Sequence, residues 1–215
     1  MDSDMIRPSD PGMNTWEQIQ SVIALLLVVP AIFMVLPFLL LIQFASPGPF
    51  LIRLAREGPG GTKFGLFKVR TMAPDADAML KDLLAGDVIR AEQWRQYGCL
   101  FGDPRIAGRA ARIARRLSID ELPQLLNVVA GQMNLVGPRP MPTAMMDLMS
   151  PGDRNARRSL KPGITGLWQT SGRSEVSLQK MGELDYQYAK RRSLGFDLKI
   201  LLRTLPAVFG GRGVY

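Results

Sequence analysis

The 215-residue sequence contains no histidine and one cysteine, Cys99. The absence of histidine excludes Ser-His and Cys-His catalytic pairs and histidine-ligated metal sites. With one cysteine no internal disulfide can form, which fits a reducing compartment. An acid, base or nucleophile must therefore come from carboxylates, lysine, tyrosine, serine or Cys99, and carboxylate oxygens remain able to hold a hard metal ion.

Charge is absent from a long stretch near the N-terminus. No charged residue occurs from Gln18 to Ile52, and most of the basic residues behind the net charge of +8 follow this stretch. Basic proteins commonly bind phosphates of nucleic acids, anionic lipid head groups or phosphorylated substrates, and composition alone does not choose among them. The apolar fraction of 47% is sufficient for a core, and the length suits one domain with an appendage.

The uncharged stretch contains a membrane segment. Val22 to Ala45 is apolar, and as a helix it would extend roughly 36 Å, enough to cross a hydrocarbon core of roughly 30 Å. Pro30 and Pro37 interrupt it, so the pattern alone favours a kinked span over a helix that breaks at Pro30 and turns back. A cleaved signal peptide is disfavoured because the run is long and the residues before it are acidic. The basic residues that follow place the next domain in the cytoplasm.

The remaining pattern predicts an α+β domain that is mainly helical. Phe50 to Leu54 and Phe64 to Val69 are predicted as a small β-hairpin around the Gly58–Gly61 loop. Helical spacing predicts helices at Pro74–Tyr97, Ile106–Leu117, Leu122–Val129 and Phe196–Val208, the last one amphipathic and interrupted by Pro206.

Two adjacent carboxylates, Asp120 and Glu121, open the Leu-rich segment. One interpretation is structural, because Ser118 and Glu121 have the spacing of a capping box. Pro123 weakens it, since it would fall where a helix needs an N–H group. In the other interpretation Asp120 lies near a helix N-terminus that attracts phosphate, stays ionised and attacks phosphorus, while Glu121 shares a divalent metal.

Several cations accompany this pair in the sequence. Arg139 lies between Pro138 and Pro140, which predicts either an ordinary surface turn or a preset guanidinium fork for phosphate. Further cations that could line the same anion site are Arg112, Arg115 and Arg116 before the pair, and Lys68 and Arg70 at the end of the second predicted strand.

Together these motifs resemble the bacterial sugar transferases, the monotopic phosphoglycosyl transferases, from about Val22 to Tyr215. The matching segments are FKVRTM at 67–72, RLSIDELPQL at 116–125, Asn127-Val128, GQMNLVGPRP at 131–140, KPGITG at 161–166, Trp168-Gln169, Ser171–Arg173, Asp185, Tyr188, Asp197–Lys199 and Gly213–Tyr215. One such motif is a weak signal, whereas this many in order is specific.

The resemblance implies transfer of a sugar-1-phosphate from a UDP-sugar to polyprenyl (undecaprenyl) phosphate with release of UMP, the first membrane step of exopolysaccharide or glycoconjugate synthesis. Asp120 would be the nucleophile that forms a phospho-aspartyl sugar intermediate. Glu121 would be its partner, and both would hold Mg²⁺. The residues implied in phosphate or nucleotide contacts are Lys68, Arg70, Arg116, Arg139 and Asp197.

The resemblance also changes the expected membrane geometry. It implies a re-entrant helix at residues 18–46, broken at Pro30, between an N-terminal tail at 1–17 and a compact cytoplasmic catalytic domain at 47–215. Amphipathic interfacial helices, including the C-terminal one, would hold this domain on the bacterial inner membrane. Membrane lipid is an expected partner, nucleic acid is not, and a homodimer is compatible.

Two alternatives remain open at this stage. A non-enzymatic, membrane-anchored basic domain that binds anionic lipid or nucleic acid would need only charge and would tolerate loss of either carboxylate. Within the family, an N-acetylated amino sugar could replace a plain hexose. The terminal Gly213–Tyr215 resembles exopolysaccharide-initiating members, which mostly use hexose donors.

Overall fold

The structure is a computed structural model that describes residues 11–172 and 176–209. The predicted mainly helical α+β fold is confirmed. Its elements are α1 (Pro11–Ala45), β1 (Leu51–Glu57), β2 (Lys63–Val69), α2 (Ala76–Gly86), α3 (Val88–Tyr97), α4 (Gly108–Arg116), a 3₁₀ segment (Ile119–Gln124), α5 (Leu125–Val129), β3 (Asn134–Val136), α6 (Thr143–Met146), α7 (Pro151–Arg158), β4 (Gly163–Thr165), α8 (Leu178–Arg191) and α9 (Leu194–Phe209). The motif residues Arg173 and Gly213–Tyr215, and residues 1–10 of the predicted tail, lie outside the described residues.

Helix α1 is long and apolar enough to cross a membrane, and it is the one such helix among the described residues. It buries a single stripe against the rest of the chain, formed by Trp16, Gln20, Ala24, Ala31, Val35 and Ile42. The opposite face exposes large apolar side chains, among them Leu26, Phe33 and Phe44. A stripe with this helical spacing indicates that α1 packs on the domain near both of its ends.

The predicted break at Pro30 does not appear, because α1 remains helical through Pro30 and Pro37. A proline removes one backbone donor and crowds the preceding turn. Ala24 and Ala31 pack in the same core cluster on either side of Pro30, so tertiary packing holds the two halves in one helix. The C-terminal helix α9 likewise continues through Pro206.

The predicted hairpin is confirmed and is longer than expected. Strands β1 and β2 pair antiparallel in the register Leu51↔Val69 to Glu57↔Lys63. The turn contains Gly60 and Gly61 with φ of 63° and 81°, a left-handed conformation that glycine adopts without strain. Lys68, opposite Ile52 near the end of β2, is thereby fixed to a rigid element.

The predicted helix Pro74–Tyr97 is wrong in one respect, since it is two helices. Helix α2 ends at Gly86, and Asp87 caps α3 by accepting a hydrogen bond from the Arg90 amide at 3.0 Å. A short polar side chain competes with the helix backbone and favours a cap over a helix interior. The spacing of the apolar residues gives no sign of this break between α2 and α3.

The core lies between α1 and the elements that contain the family motifs. Helix α5 and strand β3 pack on the N-terminal half of α1, while α4 and the 3₁₀ segment also contact it. Strands β3 and β4 pair in parallel, Asn134 opposite Gly163 and Val136 opposite Thr165. This short ladder places the Gly137–Pro140 loop beside the 3₁₀ segment that contains both carboxylates.

Candidate active site

The carboxylate pair lies in a tight turn between two helices. Ser118 adopts a left-handed conformation with φ 56°, and its amide bonds to the Arg115 carbonyl at 3.0 Å, which ends α4. The capping box is not formed, since the Ser118 side chain makes no capping hydrogen bond. Pro123 is accommodated because the segment Ile119–Gln124 is a 3₁₀ helix, a short and tightly wound element.

The local structure shows that the positive potential at the carboxylates does not come from the N-terminus of a helix, as expected from the sequence. The sequence predicts Asp120 near the N-terminus of a helix at Leu122–Val129, but Asp120 lies within a six-residue 3₁₀ segment that is followed by a five-residue α5. Such short elements have little aligned dipole. The positive charge next to the carboxylates therefore comes from side chains, Lys68 on β2 and Arg139 on the loop after β3.

These side chains form what we call the carboxylate cluster: Lys68, Asp120, Glu121 and Arg139. The Lys68 ammonium lies 3.1 Å from Asp120 Oδ2 and 3.0 Å from Glu121 Oε1. Arg139 Nη2 lies 2.8 Å from the same Glu121 oxygen. Residues that are 53 and 18 positions from Glu121 in sequence thus converge on one pair of carboxylates.

The two carboxylates differ in their hydrogen bonding. Asp120 is only 2% exposed, and its Oδ2 has no well-oriented hydrogen-bond donor within the described residues. Lys68 lies close to that oxygen, so the contact is electrostatic without good hydrogen-bond geometry. Glu121, in contrast, accepts hydrogen bonds from both Lys68 and Arg139. Asp120 therefore has lone pairs available for an incoming electrophile.

The electrostatic balance keeps Glu121 ionised. Burial raises its pKa, but the charges of Arg139 and Lys68 outweigh burial and hold the pKa well below its usual range. The charge of Glu121 in turn raises the pKa of Arg139. A nearby cation that sequence reasoning missed is Arg56 on β1, whose pKa falls to about 10 through burial and repulsion from Arg139. The site thus concentrates positive charge, as an anion site requires.

Asn127 is a second residue whose role the sequence did not reveal. Its side chain accepts from the Phe67 amide at 3.0 Å and donates to the Gly65 carbonyl at 2.8 Å. It is fully buried on α5, so it joins β2 to the element that follows the carboxylates. This connection fixes Lys68 beside Asp120, and only the motif match around Asn127-Val128 could have indicated it.

Two predicted phosphate-contact residues lie elsewhere in the structure. Arg70 donates from Nε to the Pro49 carbonyl at 2.8 Å and from Nη1 to Ser46 Oγ at 3.0 Å. Asp197 accepts hydrogen bonds from Trp16 Nε1 at 2.8 Å and from the Tyr188 hydroxyl at 2.7 Å. Both are buried, and both attach an end of α1 to the domain.

Arg112 and Arg116 lie on the exposed side of α4. Helix α4 buries Ala111 and Ala114 against α1, so these arginines belong to the face of α4 that is not packed against α1. Neither makes a hydrogen bond or ion pair with the carboxylate cluster in the described structure.

The donor set can be tested for its fit to a metal ion. No group of three metal-ligating side chains occurs among the described residues. Mg²⁺ is commonly held by one or two carboxylates together with substrate phosphates and water. Asp120 and Glu121 are adjacent hard-oxygen donors, and Asp120 Oδ2 lacks a hydrogen-bond donor. The pair therefore fits Mg²⁺ provided that phosphate oxygens complete the ligand set.

Comparison with known proteins identifies the class. The family model described as "Bacterial sugar transferase" matches residues 11–211, so the chain belongs to that family. It is an enzyme of the phosphoglycosyl transferase class, as the resemblance implied.

Curated relatives support this assignment over most of the chain. The exopolysaccharide production protein ExoY of Rhizobium meliloti is 37% identical over 94% of this chain and 87% of its own length. A UDP-glucose:undecaprenyl-phosphate glucose-1-phosphate transferase of Caulobacter vibrioides is 41% identical over 83% of this chain and 65% of its own. The undecaprenyl-phosphate galactose phosphotransferase of Salmonella typhimurium is 39% identical over 78% of this chain, which spans about 35% of that longer relative.

Proposed function

We propose that this chain transfers a sugar-1-phosphate from a UDP-sugar to polyprenyl phosphate through a covalent intermediate on Asp120. The observation that carries the proposal is a buried carboxylate whose Oδ2 accepts no hydrogen bond and lies 3.1 Å from the Lys68 ammonium, beside a second carboxylate held by Lys68 and Arg139. The relatives act on UDP-glucose or on undecaprenyl phosphate with glucose or galactose by name. These names support the donor and acceptor classes and do not choose the sugar.

The reaction proceeds in two displacements at one phosphorus. Asp120 attacks the sugar-bearing phosphorus of the donor, a new oxygen–phosphorus bond forms, and the bond to the bridging oxygen breaks to release UMP. An oxygen of polyprenyl phosphate then attacks the same phosphorus. The acyl-phosphate bond breaks, polyprenyl-diphosphate-sugar leaves, and the Asp120 carboxylate is restored. A covalent intermediate divides one difficult transfer into two easier steps.

The cations of the carboxylate cluster have distinct tasks in this scheme. Arg139 offers a planar fork that suits two phosphate oxygens, and Lys68 offers a point charge beside Asp120. Both stabilise charge on the transferring phosphoryl group in a site shielded from water. Bound at Asp120 and Glu121, Mg²⁺ would neutralise diphosphate charge. Glu121, ionised at neutral pH, is placed to orient or activate the acceptor phosphate.

We also propose that α1 lies shallowly in the cytoplasmic leaflet as one helix, with its exposed apolar face in lipid and both ends on the cytoplasmic side. Near its start, Trp16 bonds to Asp197, and Gln20 Oε1 accepts from the Leu135 amide at 2.8 Å. Just past its end, Ser46 bonds to Arg70. A crossing helix would separate these contacts by roughly 30 Å of hydrocarbon, whereas one domain holds both. A shallow anchor of this kind keeps Asp120 near the head group of a lipid-linked acceptor.

The chemistry is tested by intact-mass analysis of the purified enzyme with donor alone. Wild type should gain the mass of one sugar-phosphate and release UMP, with a panel of UDP-sugars identifying the donor. Asp120→Asn should form no adduct. The control Asp82→Asn makes the same change at an exposed residue of α2, and it should behave as wild type. Full turnover by Asp120→Asn would refute the covalent scheme.

The membrane geometry is tested by cysteine accessibility in a Cys99→Ser background. Asn14→Cys reports the start of α1, and Lys81→Cys, exposed on α2, reports the catalytic domain. Both should react with an impermeant maleimide only after intact cells are permeabilised. Reaction at Asn14→Cys in intact cells, with Lys81→Cys protected, would show a span.

A further inference from the structure

A buried ion pair lies directly beneath the Arg139 loop. Arg157 on α7 donates from Nη1 to Asp185 Oδ2 on α8, and its side chain is 4% exposed against 1% for that of Asp185. Arg157 Nε contacts Met146 Sδ at 3.3 Å. Its remaining terminal nitrogen, Nη2, donates to the backbone carbonyl of Arg139. The guanidinium is thus divided between a carboxylate and the backbone of the site.

A buried pair of this kind needs a reason other than stability. Removing two charges from water costs several kcal/mol per ion, and well-packed apolar side chains are often as stable. Burial, with a smaller contribution from Asp153, raises the pKa of Asp185 to about 6 against the opposing charge of Arg157. The surrounding cluster of Met141, Met146, Met149 and Trp168 is apolar. An apolar pair would suit that cluster, but it could not bind the Arg139 carbonyl.

The backbone before Arg139 and the backbone at Arg139 are held by different groups. Before it, the Gly137 amide bonds to the Thr165 carbonyl at 2.9 Å, and the Pro138 carbonyl accepts from Gly163 at 2.8 Å. At Arg139 itself the ladder has ended, and Arg157 is the group that bonds to the carbonyl. The Arg139 guanidinium lies 5.5 Å from the centre of the Trp168 ring and reaches Glu121. Its direction therefore depends on where that carbonyl is fixed.

We propose that Arg157, held by Asp185, is a positioning residue that directs Arg139 at Glu121 and the transferring phosphoryl group. The proposal rests on the proposed function, because it assigns Arg139 to that reaction. Pro138 and Pro140 restrict the backbone to extended conformations. The bond from Arg157 adds a side-chain donor to the carbonyl of Arg139 itself and holds that peptide in place. Asp185 supplies a negative charge that offsets the repulsion between the guanidinium groups of Arg157 and Arg139.

A double-mutant cycle separates positioning from general structural support. Arg157→Gln should slow adduct formation roughly 10- to 100-fold, the loss typical of a misplaced catalytic group. In an Arg139→Lys background, which lacks the planar fork, the same substitution should cost less than about threefold because the two effects are not independent. Asp185→Asn keeps the shape of the side chain. It should likewise slow adduct formation strongly in wild type and only slightly in the Arg139→Lys background. Equal losses in both backgrounds would overturn the proposal.

Two controls keep the result interpretable. Arg154→Gln removes another α7 arginine, one that pairs with Asp147 at 3.1 Å away from the carbonyl, and it should retain the wild-type rate. Thermal unfolding of each variant identifies any loss of folded enzyme, and if Arg157→Gln is unfolded the cycle is completed with Asp185→Asn. Absence of an adduct in wild type would reject the covalent scheme, while the cycle measured by UMP release would still test the positioning of Arg139.

Discussion

Two polar clusters in this molecule each contain a buried aspartate, but the groups around that aspartate differ in character. The first is the carboxylate cluster of Lys68, Asp120, Glu121 and Arg139. The anchor cluster consists of Trp16, Tyr188 and Asp197, which connect the start of α1 to α8 and α9. Asp197 is fully buried and accepts two hydrogen bonds, whereas Asp120 is also buried and its Oδ2 accepts no hydrogen bond, although the Lys68 ammonium lies 3.1 Å away. Buried polar groups are normally satisfied, so the unsatisfied cluster is the one prepared for a ligand.

The pKa shifts of the two clusters run in opposite directions. Burial raises the pKa of Asp197, and hydrogen bonds from Tyr188 and Trp16 oppose it without prevailing. Burial also raises the pKa of Glu121, but there the charges of Arg139 and Lys68 prevail and lower it. The cations beside Glu121 thus outweigh its burial, whereas the neutral donors and the nearby charge of Arg192 do not outweigh the burial of Asp197. The comparison leads to four expectations, which begin with the largest effect.

Removal of divalent metal should affect the carboxylate cluster alone. Excess EDTA should abolish nearly all UMP release, and added Mg²⁺ should restore it, because Asp120 and Glu121 provide only part of an oxygen ligand set. The anchor cluster uses no such ion, so the midpoint of thermal unfolding should stay unchanged in chelator. Undiminished turnover in EDTA would remove Mg²⁺ from the scheme.

Arg139→Lys should lose roughly 100-fold in kcat although the charge is kept, because an ammonium cannot reproduce a two-pronged contact with phosphate. Steady-state kinetics with saturating donor and acceptor measure this loss. Lys161→Arg changes another half-buried cation, whose side chain pairs with Glu17 at 3.1 Å instead of a residue of the carboxylate cluster, and it serves as the matched control. Near-normal kinetics for Arg139→Lys would leave the Gly137–Pro140 segment as an ordinary turn.

The division between the clusters explains what the sequence could and could not predict. The hairpin and the pairing of Asp120 with Glu121 follow from local patterns. Lys68 and Arg70 stand together at the end of the second predicted strand, and the resemblance implies phosphate contacts for both. Strand β2 ends at Val69, so Arg70 turns away toward Ser46. Its role depends on where α1 ends in space, which no local spacing encodes.

The same limit applies to the positioning pair and to the membrane helix. Arg157 and Asp185 are 28 residues apart, and neither lies in a pattern that predicts burial. The partners of Trp16 and Gln20 are 181 and 115 residues away. The resemblance implied a break at Pro30, but α1 remains helical there and packs against the domain on both sides of it. Long-range contacts thus determine which charged residues contact the carboxylates and which hold the fold.

Tyr188→Phe should weaken the anchor cluster and leave the chemistry intact. It removes one of the two donors to Asp197, and a buried acceptor that loses a donor costs about 1–3 kcal/mol. Thermal or denaturant unfolding in detergent should show this loss, with kcat per folded molecule within about twofold of wild type. Tyr186→Phe, next to Lys190 on the same helix, is the control and should change neither quantity. A loss of rate without a loss of stability would place Tyr188 in the reaction.

The smallest effect is expected at Arg112, which belongs to neither cluster. The sequence grouped it and Arg116 with the phosphate-binding residues, yet both are exposed on α4 beside the membrane helix. An exposed cation acts on a phosphate through a screened field rather than through a fixed bond. Arg112→Gln should therefore raise KM for polyprenyl phosphate only about two- to fivefold at low ionic strength and leave kcat unchanged. The difference should disappear in roughly 0.5 M salt, where screening acts within a few ångströms.

The control Arg95→Gln removes one charge from an exposed arginine on α3. A large loss of kcat at Arg112→Gln that persists in salt would show that this side chain reaches the transferring phosphoryl group, and the distinction between cations inside and outside the carboxylate cluster would then have to be redrawn.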